Sequence, residues 1–151
     1  MNTSIHKNSK NRKFLPQEFT VFIVDDDAFY LSALAFRLMK TIHDHNVKIF
    51  CYSSGEECVQ NLGLHPSLVI LDYYLSSGQQ AAMSGMDVMR RIKSVYPHVP
   101  VIMLSGQHSM SVALNTLREG AYTYVIKDKL APYSIEKIIS RFVSGRSAAV
   151  H

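Results

Sequence analysis

The stretch Leu68-Val69-Ile70-Leu71-Asp72 places four consecutive apolar residues directly before one carboxylate. A short unbroken apolar run is typical of a strand buried on both faces, as in the middle of a parallel sheet. Open α/β sheets bind their ligands at the carboxyl ends of such strands. The sequence therefore predicts that the chain folds around Asp72 and that this carboxylate takes part in its chemistry.

Strand-like and helix-like segments alternate on both sides of this stretch. β-Branched and aromatic residues predict strands at 19–24, 47–52, 101–104 and 122–126, the second more exposed than the first. Alternating β and α elements require parallel strands joined by right-handed crossovers. We therefore predict an α/β fold, a doubly wound (βα)5 flavodoxin-like three-layer sandwich with a parallel sheet of order 2-1-3-4-5.

The helix boundaries are predicted from capping residues and from apolar spacing. Asp27 can cap the first helix, and Ser53 or Ser54 can cap the second. Glycine is expected to end the second helix at Gly63 and the fourth at Gly120. The apolar stripe of the first helix is formed by Phe29, Leu31, Leu34, Ala35, Leu38 and Ile42. The other four helices are predicted at 55–62, 85–95, 109–119 and 133 to 142 or 143.

Length and charge define the expected domain organisation. With 151 residues, 47% of them hydrophobic and 19% charged, the chain has the length and composition of one globular domain. Four basic residues and no acid precede Phe14, whereas the remainder carries twelve of each. A basic tail on a neutral body argues against a nucleic-acid-binding domain. We predict a disordered basic leader at 1–17, one domain at 18–143 and a frayed tail at 144–151.

Two further sequence features bear on location. No apolar run approaches the roughly 18 residues of a membrane span, and the first residues lack the apolar region of a secretory signal. We therefore expect a cytoplasmic protein that does not bind membranes. The gap between Cys51 and Cys58 fits no metal or redox spacing, so both are predicted to be free, buried thiols in a reducing compartment.

Polar side chains stand at the carboxyl ends of four strands that the predicted order makes neighbours. Strand one ends in Asp25 and Asp26, strand three in Asp72, strand four in Ser105 and strand five in Lys127. Three carboxylates this close repel one another unless a cation lies among them, and oxygen ligands with water suit Mg²⁺. A hydroxyl and an ammonium opposite them can hold phosphoryl oxygens. The set is typical of phosphoryl transfer onto a carboxylate nucleophile.

These residues lie in motifs that resemble the receiver domain of two-component response regulators, of the chemotaxis-response-regulator type. The resemblance covers about 19–143, almost the whole chain. It implies that Asp72 accepts a phosphoryl group from a phosphohistidine on a sensor histidine kinase or a histidine phosphotransfer protein. Such a domain is not an enzyme beyond catalysing its own phosphorylation and dephosphorylation. The motifs are Val24-Asp25-Asp26-Asp27, Leu71-Asp72, Leu104-Ser105-Gly106 and Gly120-Ala121-Tyr122-Thr123-Tyr124-Val125-Ile126-Lys127.

The resemblance also implies a set of metal ligands. Asp26 and Asp72 would bind Mg²⁺ directly, and Asp25 would do so largely through water. The backbone carbonyl of Tyr74 would be a further ligand.

Further roles are implied for the phosphoryl group and its readout. Ser105 and Lys127 would hold the phosphoryl oxygens. Tyr124 matches the family's switch aromatic, whose ring turns inward when Ser105 is drawn to the phosphate. The fourth helix, fifth strand and fifth helix would then present the readout surface to a protein target or to a second copy of the chain.

The chain departs from the family pattern at three places. Asp128 follows the lysine where proline is usual, and Ser76 replaces a proline four residues after the acceptor. The gap from Asp72 to Gly85 is longer than usual by about five residues. These departures motivate an alternative, a receiver-like interaction module that works without phosphorylation.

A second alternative is a metal-dependent phosphatase with a nucleophilic aspartate. It is disfavoured because Tyr74 stands where such families place a second aspartate. Tyr74 and Gln107 lie two residues beyond Asp72 and Ser105. A bulky ring at Tyr74 is expected to shield an acyl phosphate from water, which predicts slow self-dephosphorylation.

Overall fold

The computed structural model describes residues 17–43, 46–75 and 82–148. Within these ranges, five strands alternate with five α-helices, and a short 3-10 helix follows the second of them. The strands are β1 (Phe19–Val24), β2 (Val47–Tyr52), β3 (Leu68–Asp72), β4 (Val101–Ser105) and β5 (Thr123–Ile126). The helices are α1 (Ala28–Thr41), α2 (Gly55–Gln60), α3 (Gly85–Val95), α4 (Met110–Arg118) and α5 (Ala131–Ala148), and the 3-10 helix is Leu62–Leu64.

The sheet confirms the predicted fold class. Its strands run in the order β2-β1-β3-β4-β5, and every neighbouring pair is parallel. All five residues of β3 are buried, as the apolar run predicted. The register pairs Val24 with Leu71 and Asp72 with Leu104, so the carboxyl ends of the three central strands lie side by side.

Hydrophobic layers enclose the sheet on both faces because the residues of each strand alternate between them. Helices α1 and α5 cover one face, and α2 and α3 cover the other. Leu38 and Ile135 are fully buried in the first layer, and Met89 and Ile92 in the second. Truncating such a side chain to alanine costs about 2–5 kcal/mol. The site at the strand ends therefore stands on a rigid support.

Three predictions about α1 and α2 needed correction. Phe29 is 85% exposed and does not belong to the apolar stripe. At about 100° per residue it lies roughly opposite Leu31 and Leu38 on the helix. Helix α2 ends at Gln60, before the predicted Leu62, and Gly63 lies inside the 3-10 helix that follows.

The last helix is longer than predicted at both ends. It begins at Ala131 because the Oδ1 atom of Asp128 accepts the N–H groups of Leu130 and Ala131 at 2.8 and 2.9 Å. The expected end at 142 or 143 was wrong, since residues 144–148 of the predicted frayed tail are helical. Arg146 fixes this extension by donating to the Glu18 carbonyl and to Ser67 Oγ. Residues 1–16 of the predicted 1–17 leader and residues 149–151 of the predicted tail lie outside the described residues, so the proposed domain boundaries stay a prediction.

The two cysteines differ in their surroundings. Cys58 is fully buried, and burial raises the pKa of its thiol to about 12. Cys51 is exposed, which corrects the expectation of two buried thiols. Both are free of disulfides, as predicted. In the described part of the chain, no helix has the length and apolar character needed to span a bilayer.

Candidate functional site

Three carboxylates meet at the carboxyl ends of β1 and β3. Asp25 and Asp26 follow β1 directly, and Asp72 is the last residue of β3. One oxygen from each carboxylate lies within 4.8 Å of the others. Asp25 is fully buried and Asp72 is 4% exposed, whereas Asp26 faces solvent. The sheet thus brings the three sequence-predicted acids together with one side open.

Lys127 balances part of this negative charge from the end of β5. Its ammonium lies 2.6 Å from Asp25 Oδ2 and 3.2 Å from Asp72 Oδ1, and its side chain is 17% exposed. One ammonium among three carboxylates leaves a formal surplus of negative charge. A divalent cation with oxygen ligands would compensate this surplus, and the exposed Asp26 leaves room for its water ligands.

Burial and charge shift the protonation of this cluster. Burial raises the pKa of Asp72, and the neighbouring charge of Asp25 raises it further, against the opposing effect of Lys127. Burial lowers the pKa of Lys127, but the hydrogen bond to Asp25 and the charges of both carboxylates outweigh it, so the net shift is upward. The ammonium is therefore firmly protonated beside a carboxylate whose ionised form is penalised by desolvation.

The start of α1 fixes the orientation of Asp25. The Asp27 N–H donates to Asp25 Oδ1 at 2.9 Å. The side chain of Asp27 caps the helix, as predicted, by accepting the N–H groups of Phe29 and Tyr30 at 3.0 and 3.1 Å. Asp27 is therefore a capping residue and lies outside the acidic cluster.

A hydrogen-bonded network lies beside the acids. Ser105, fully buried at the end of β4, accepts the Gln107 N–H at 3.2 Å. The Tyr124 hydroxyl donates to the Gln107 carbonyl at 3.0 Å, and the Tyr74 hydroxyl donates to Gln107 Oε1 at 2.8 Å. The Tyr74 N–H approaches Asp72 Oδ1 at 3.4 Å. Gln107 thus contacts both predicted switch residues and the loop that follows the acceptor strand.

Helix α3 returns close to the acceptor strand at Gly85. A Cβ on Gly85 would collide with the carbonyl oxygen of Asp72 and would lie 2.8 Å from that of Tyr73. Ser84 caps the helix through a reciprocal capping box with Asp87. The first residue of α3 thus packs directly on the backbone at the end of β3, and residues 76–81, which lie between them in the sequence, are outside the described ranges.

Asp128, which stands where proline is usual after the lysine, has a local structural role. Its carboxylate is occupied in capping α5, and it is not one of the three clustered acids. All peptide bonds in the described ranges are trans, including the one between Lys127 and Asp128.

Comparison with known families identifies this arrangement. The family profile described as the response regulator receiver domain matches residues 21–140. The chain belongs to this family. Receiver domains are signalling modules of two-component systems, and the predicted family and fold are both confirmed.

The relatives are response regulators that are longer than this chain. The response regulator protein TmoT of Ectopseudomonas mendocina is 30% identical over 112 residues, covering 74% of this chain and 47% of TmoT. An NtrX-like response regulator of Rickettsia felis is 31% identical over 123 residues, covering 81% of this chain and 24% of that protein. The chain thus spans less than half the length of either relative.

Solved structures agree on the fold. A CheY-like response regulator receiver domain protein of Methanospirillum hungatei JF-1 superposes with a TM-score of 0.72 at 19% identity, covering 88% of this chain and 99% of that one. The receiver domain of NtrX from Brucella abortus superposes with a TM-score of 0.69 at 23% identity, covering 82% and 98%.

Proposed function

We propose that this receiver domain accepts a phosphoryl group on Asp72 from a phosphohistidine of a sensor histidine kinase or a histidine phosphotransfer protein. One observation carries the proposal. The Asp72 carboxylate, at the tip of the buried central strand, lies 3.2 Å from the Lys127 ammonium and within 4.8 Å of two further carboxylates. An acid in this setting is a nucleophile with groups around it that can neutralise an incoming phosphoryl group.

The transfer exchanges one bond to phosphorus for another. A carboxylate oxygen of Asp72 forms the new P–O bond while the P–N bond of the phosphohistidine breaks. The electron pair of that bond stays on the imidazole nitrogen, which then takes up a proton. Lys127 and Ser105 hold the phosphoryl oxygens by charge and by hydrogen bonding. The only catalysis proposed is of this domain's own phosphorylation and dephosphorylation.

The acidic cluster fits a magnesium site. Its donors are hard carboxylate oxygens, it carries surplus negative charge, and Asp26 opens it to solvent. Asp26 and Asp72 would bind the metal directly, Asp25 largely through water, and the Tyr74 carbonyl would complete the protein ligands. When bound, Mg²⁺ supplies positive charge that offsets the repulsion between the carboxylates and an incoming phosphoryl group.

The proposed readout passes from Ser105 to Tyr124 and the surface around them. Both residues are hydrogen-bonded to Gln107, so a displacement of Ser105 toward a phosphoryl group would disturb the Tyr124 contact. Helices α4 and α5, and the residues directly before β5 and α5, carry large exposed apolar side chains that a protein target or a second copy of the chain could cover. They are Met110, Leu114, Leu117, Tyr122, Leu130 and Tyr133.

Intact mass spectrometry after incubation with acetyl phosphate and Mg²⁺ tests the proposal. The native chain is expected to gain one phosphoryl group, and Asp72→Asn is expected to gain none. Asp27→Asn is the matched control, because asparagine also caps helices well and Asp27 lies outside the cluster. No adduct on the native chain, or an undiminished adduct on Asp72→Asn, would overturn the proposal.

The alternative interaction module makes a different prediction in the same assay. It rests on three departures from the family pattern, which are Ser76, Asp128 and the long connection between Asp72 and Gly85. It predicts no adduct, no Mg²⁺ binding, and partner binding that is the same for native chain and Asp72→Asn.

A further inference from the structure

Lys127 has a third neighbour besides the two carboxylates. The ring of Tyr30, in the first turn of α1, lies with its centroid 4.6 Å from the Lys127 Nζ. This distance is within the range in which an ammonium is attracted to the face of an aromatic ring. Tyr30 belongs to none of the family motifs found in the sequence, and its ring contacts Lys127 in addition to packing partly against the apolar layer under α1.

The surroundings of this contact favour it over the two other lysine–ring contacts among the described residues. Lys40 lies over Phe36 at 4.8 Å and Lys137 over Tyr133 at 4.5 Å, but all four of these side chains are exposed. Lys127 is only 17% exposed, and the Tyr30 ring is partly buried against the layer formed by α1 and α5. A cation–π contact gains strength when the cation is desolvated.

The same helix cap holds Tyr30 and Asp25. The Tyr30 N–H donates to Asp27 Oδ1 at 3.1 Å, and the Asp27 N–H donates to Asp25 Oδ1 at 2.9 Å. Asp25 and Tyr30, two of the three groups around the Lys127 ammonium, are therefore positioned by the backbone turn at Asp27. This turn fixes where the long, flexible lysine side chain can place its charge relative to Asp72.

The ring differs from the carboxylates in how it responds to other cations. A cation bound by the acids weakens their attraction for Lys127, because part of their charge is then neutralised. The ring quadrupole is unaffected by such neutralisation. Attraction by the ring would therefore keep the ammonium at the site when Asp72 has to react.

The phenolic hydroxyl of Tyr30 contributes little to this arrangement. Its oxygen is buried and has no hydrogen-bond partner among the described residues. Burial raises its pKa, so the group is neutral at physiological pH. The aromatic face is thus the part of the side chain in contact with the site.

We propose that Tyr30 is a positioning residue of the acceptor site, whose ring holds the Lys127 ammonium beside Asp72. This inference rests on the proposed function for its chemical consequence, but the contact itself can be tested without any phosphoryl transfer.

The first test is a double-mutant cycle on the full chain, measured by chemical denaturation. Tyr30→Leu, Lys127→Met and the double variant are compared with the native chain. The proposal predicts a coupling of about twofold to thirtyfold in the unfolding equilibrium constant. Additive effects would overturn it. If Tyr30→Leu does not unfold cooperatively, Tyr30→Met takes its place in the cycle.

The second test compares initial rates of phosphorylation by acetyl phosphate with Mg²⁺. Tyr30→Leu is expected to react about fivefold more slowly or worse, whereas Tyr30→Phe, which keeps the ring, stays within about twofold of native. Phe36→Leu, which removes an exposed cation–π contact of the same helix, is the matched control and is expected to react normally. A native rate in Tyr30→Leu, or equal losses in Tyr30→Leu and Tyr30→Phe, would overturn the proposal.

The two tests separate this proposal from the one it rests on. If the native chain itself gains no phosphoryl group, the proposed function fails, and the coupling between Tyr30 and Lys127 still decides whether the contact exists. Coupling with no rate effect in a chain that is phosphorylated would contradict a positioning role.

Discussion

The hydroxyl of Tyr74 donates a 2.8 Å hydrogen bond to the side-chain Oε1 of Gln107, 33 positions away in the sequence. Gln107 also accepts from Tyr124 and donates to Ser105 through its backbone. One residue thus joins the loop beyond the acceptor strand to both side chains proposed for the switch. A change at Tyr74 is therefore expected to affect the acceptor and the switch together.

Replacing Tyr74 by alanine is expected to shorten the lifetime of phosphorylated Asp72. The Tyr74 backbone N–H approaches Asp72 Oδ1, and its hydroxyl reaches Gln107, so the ring extends from the acceptor strand to the loop after β4. Removing the ring is therefore expected to give water access to the acyl phosphate. A barrier lower by about 1 kcal/mol would speed hydrolysis roughly fivefold. The decay is followed by intact mass after the phosphoryl donor has been removed.

Two further variants separate the ring of Tyr74 from its hydroxyl. Tyr74→Phe keeps the shield and should decay more slowly than Tyr74→Ala. Tyr96→Phe is the control. The hydroxyl of Tyr96 donates to the Leu62 carbonyl, and Tyr96 lies near the amino ends of the strands, away from the site. Native decay in Tyr74→Ala would show that the ring does not shield the acceptor.

Gly85→Ala is expected to destabilise the fold by about 1–3 kcal/mol and to slow phosphorylation. The new Cβ would collide with backbone atoms of Asp72 and Tyr73, which cannot move without displacing the acceptor. Chemical denaturation measures the first effect and acetyl phosphate labelling the second. Gly145→Ala in α5, where a Cβ meets no atom within 4 Å, should instead stabilise by roughly 0.5–1 kcal/mol. If Gly85→Ala lowers the free energy of unfolding no more than Gly145→Ala does, the close approach at Gly85 is refuted.

The capping box of α3 is expected to make stability depend on pH. Hydrogen bonds from Ser84 hold the pKa of Asp87 below its ordinary value. Because the pKa is depressed in the folded state, this contribution is present above the unfolded pKa and is lost as the pH falls through the folded one. Ser84→Ala should cost about 0.5–2 kcal/mol at neutral pH and less in acid, as measured by denaturation across that range. Ser84→Thr should retain most of the stability, and a pH-independent cost would argue against the Asp87 contribution.

The sheet and the placement of the acids were predictable because local patterns determine them. An apolar run ended by a carboxylate defined β3 to the residue, and the alternation of elements then determined which strand ends are neighbours. Asp25 and Lys127 follow their strands directly and Asp72 is the last residue of its own, so their convergence needed only the strand order. The bounds of α3 followed from its strong apolar periodicity between Ser84 and Tyr96.

Contacts between distant side chains were not predictable from local patterns. The hydrogen bond between Tyr74 and Gln107 and the cation–π contact between Tyr30 and Lys127 depend on the geometry of elements far apart in sequence. The longer α5 was missed because Asp128 was interpreted only as a departure beside the lysine. An aspartate at this position is also a capping signal, because its Oδ1 accepts the N–H groups of Leu130 and Ala131, and that signal places the helix start before Tyr133.

The most direct test of the central claim identifies the phosphorylated residue chemically. The chain is treated with acetyl phosphate and Mg²⁺ and then with borohydride, which reduces an acyl phosphate of aspartate to homoserine, and the peptides are sequenced by mass spectrometry. The account predicts homoserine at position 72 alone, with none in samples that lacked acetyl phosphate. Homoserine at another aspartate, or a phosphorylated chain that yields none at position 72, would contradict it.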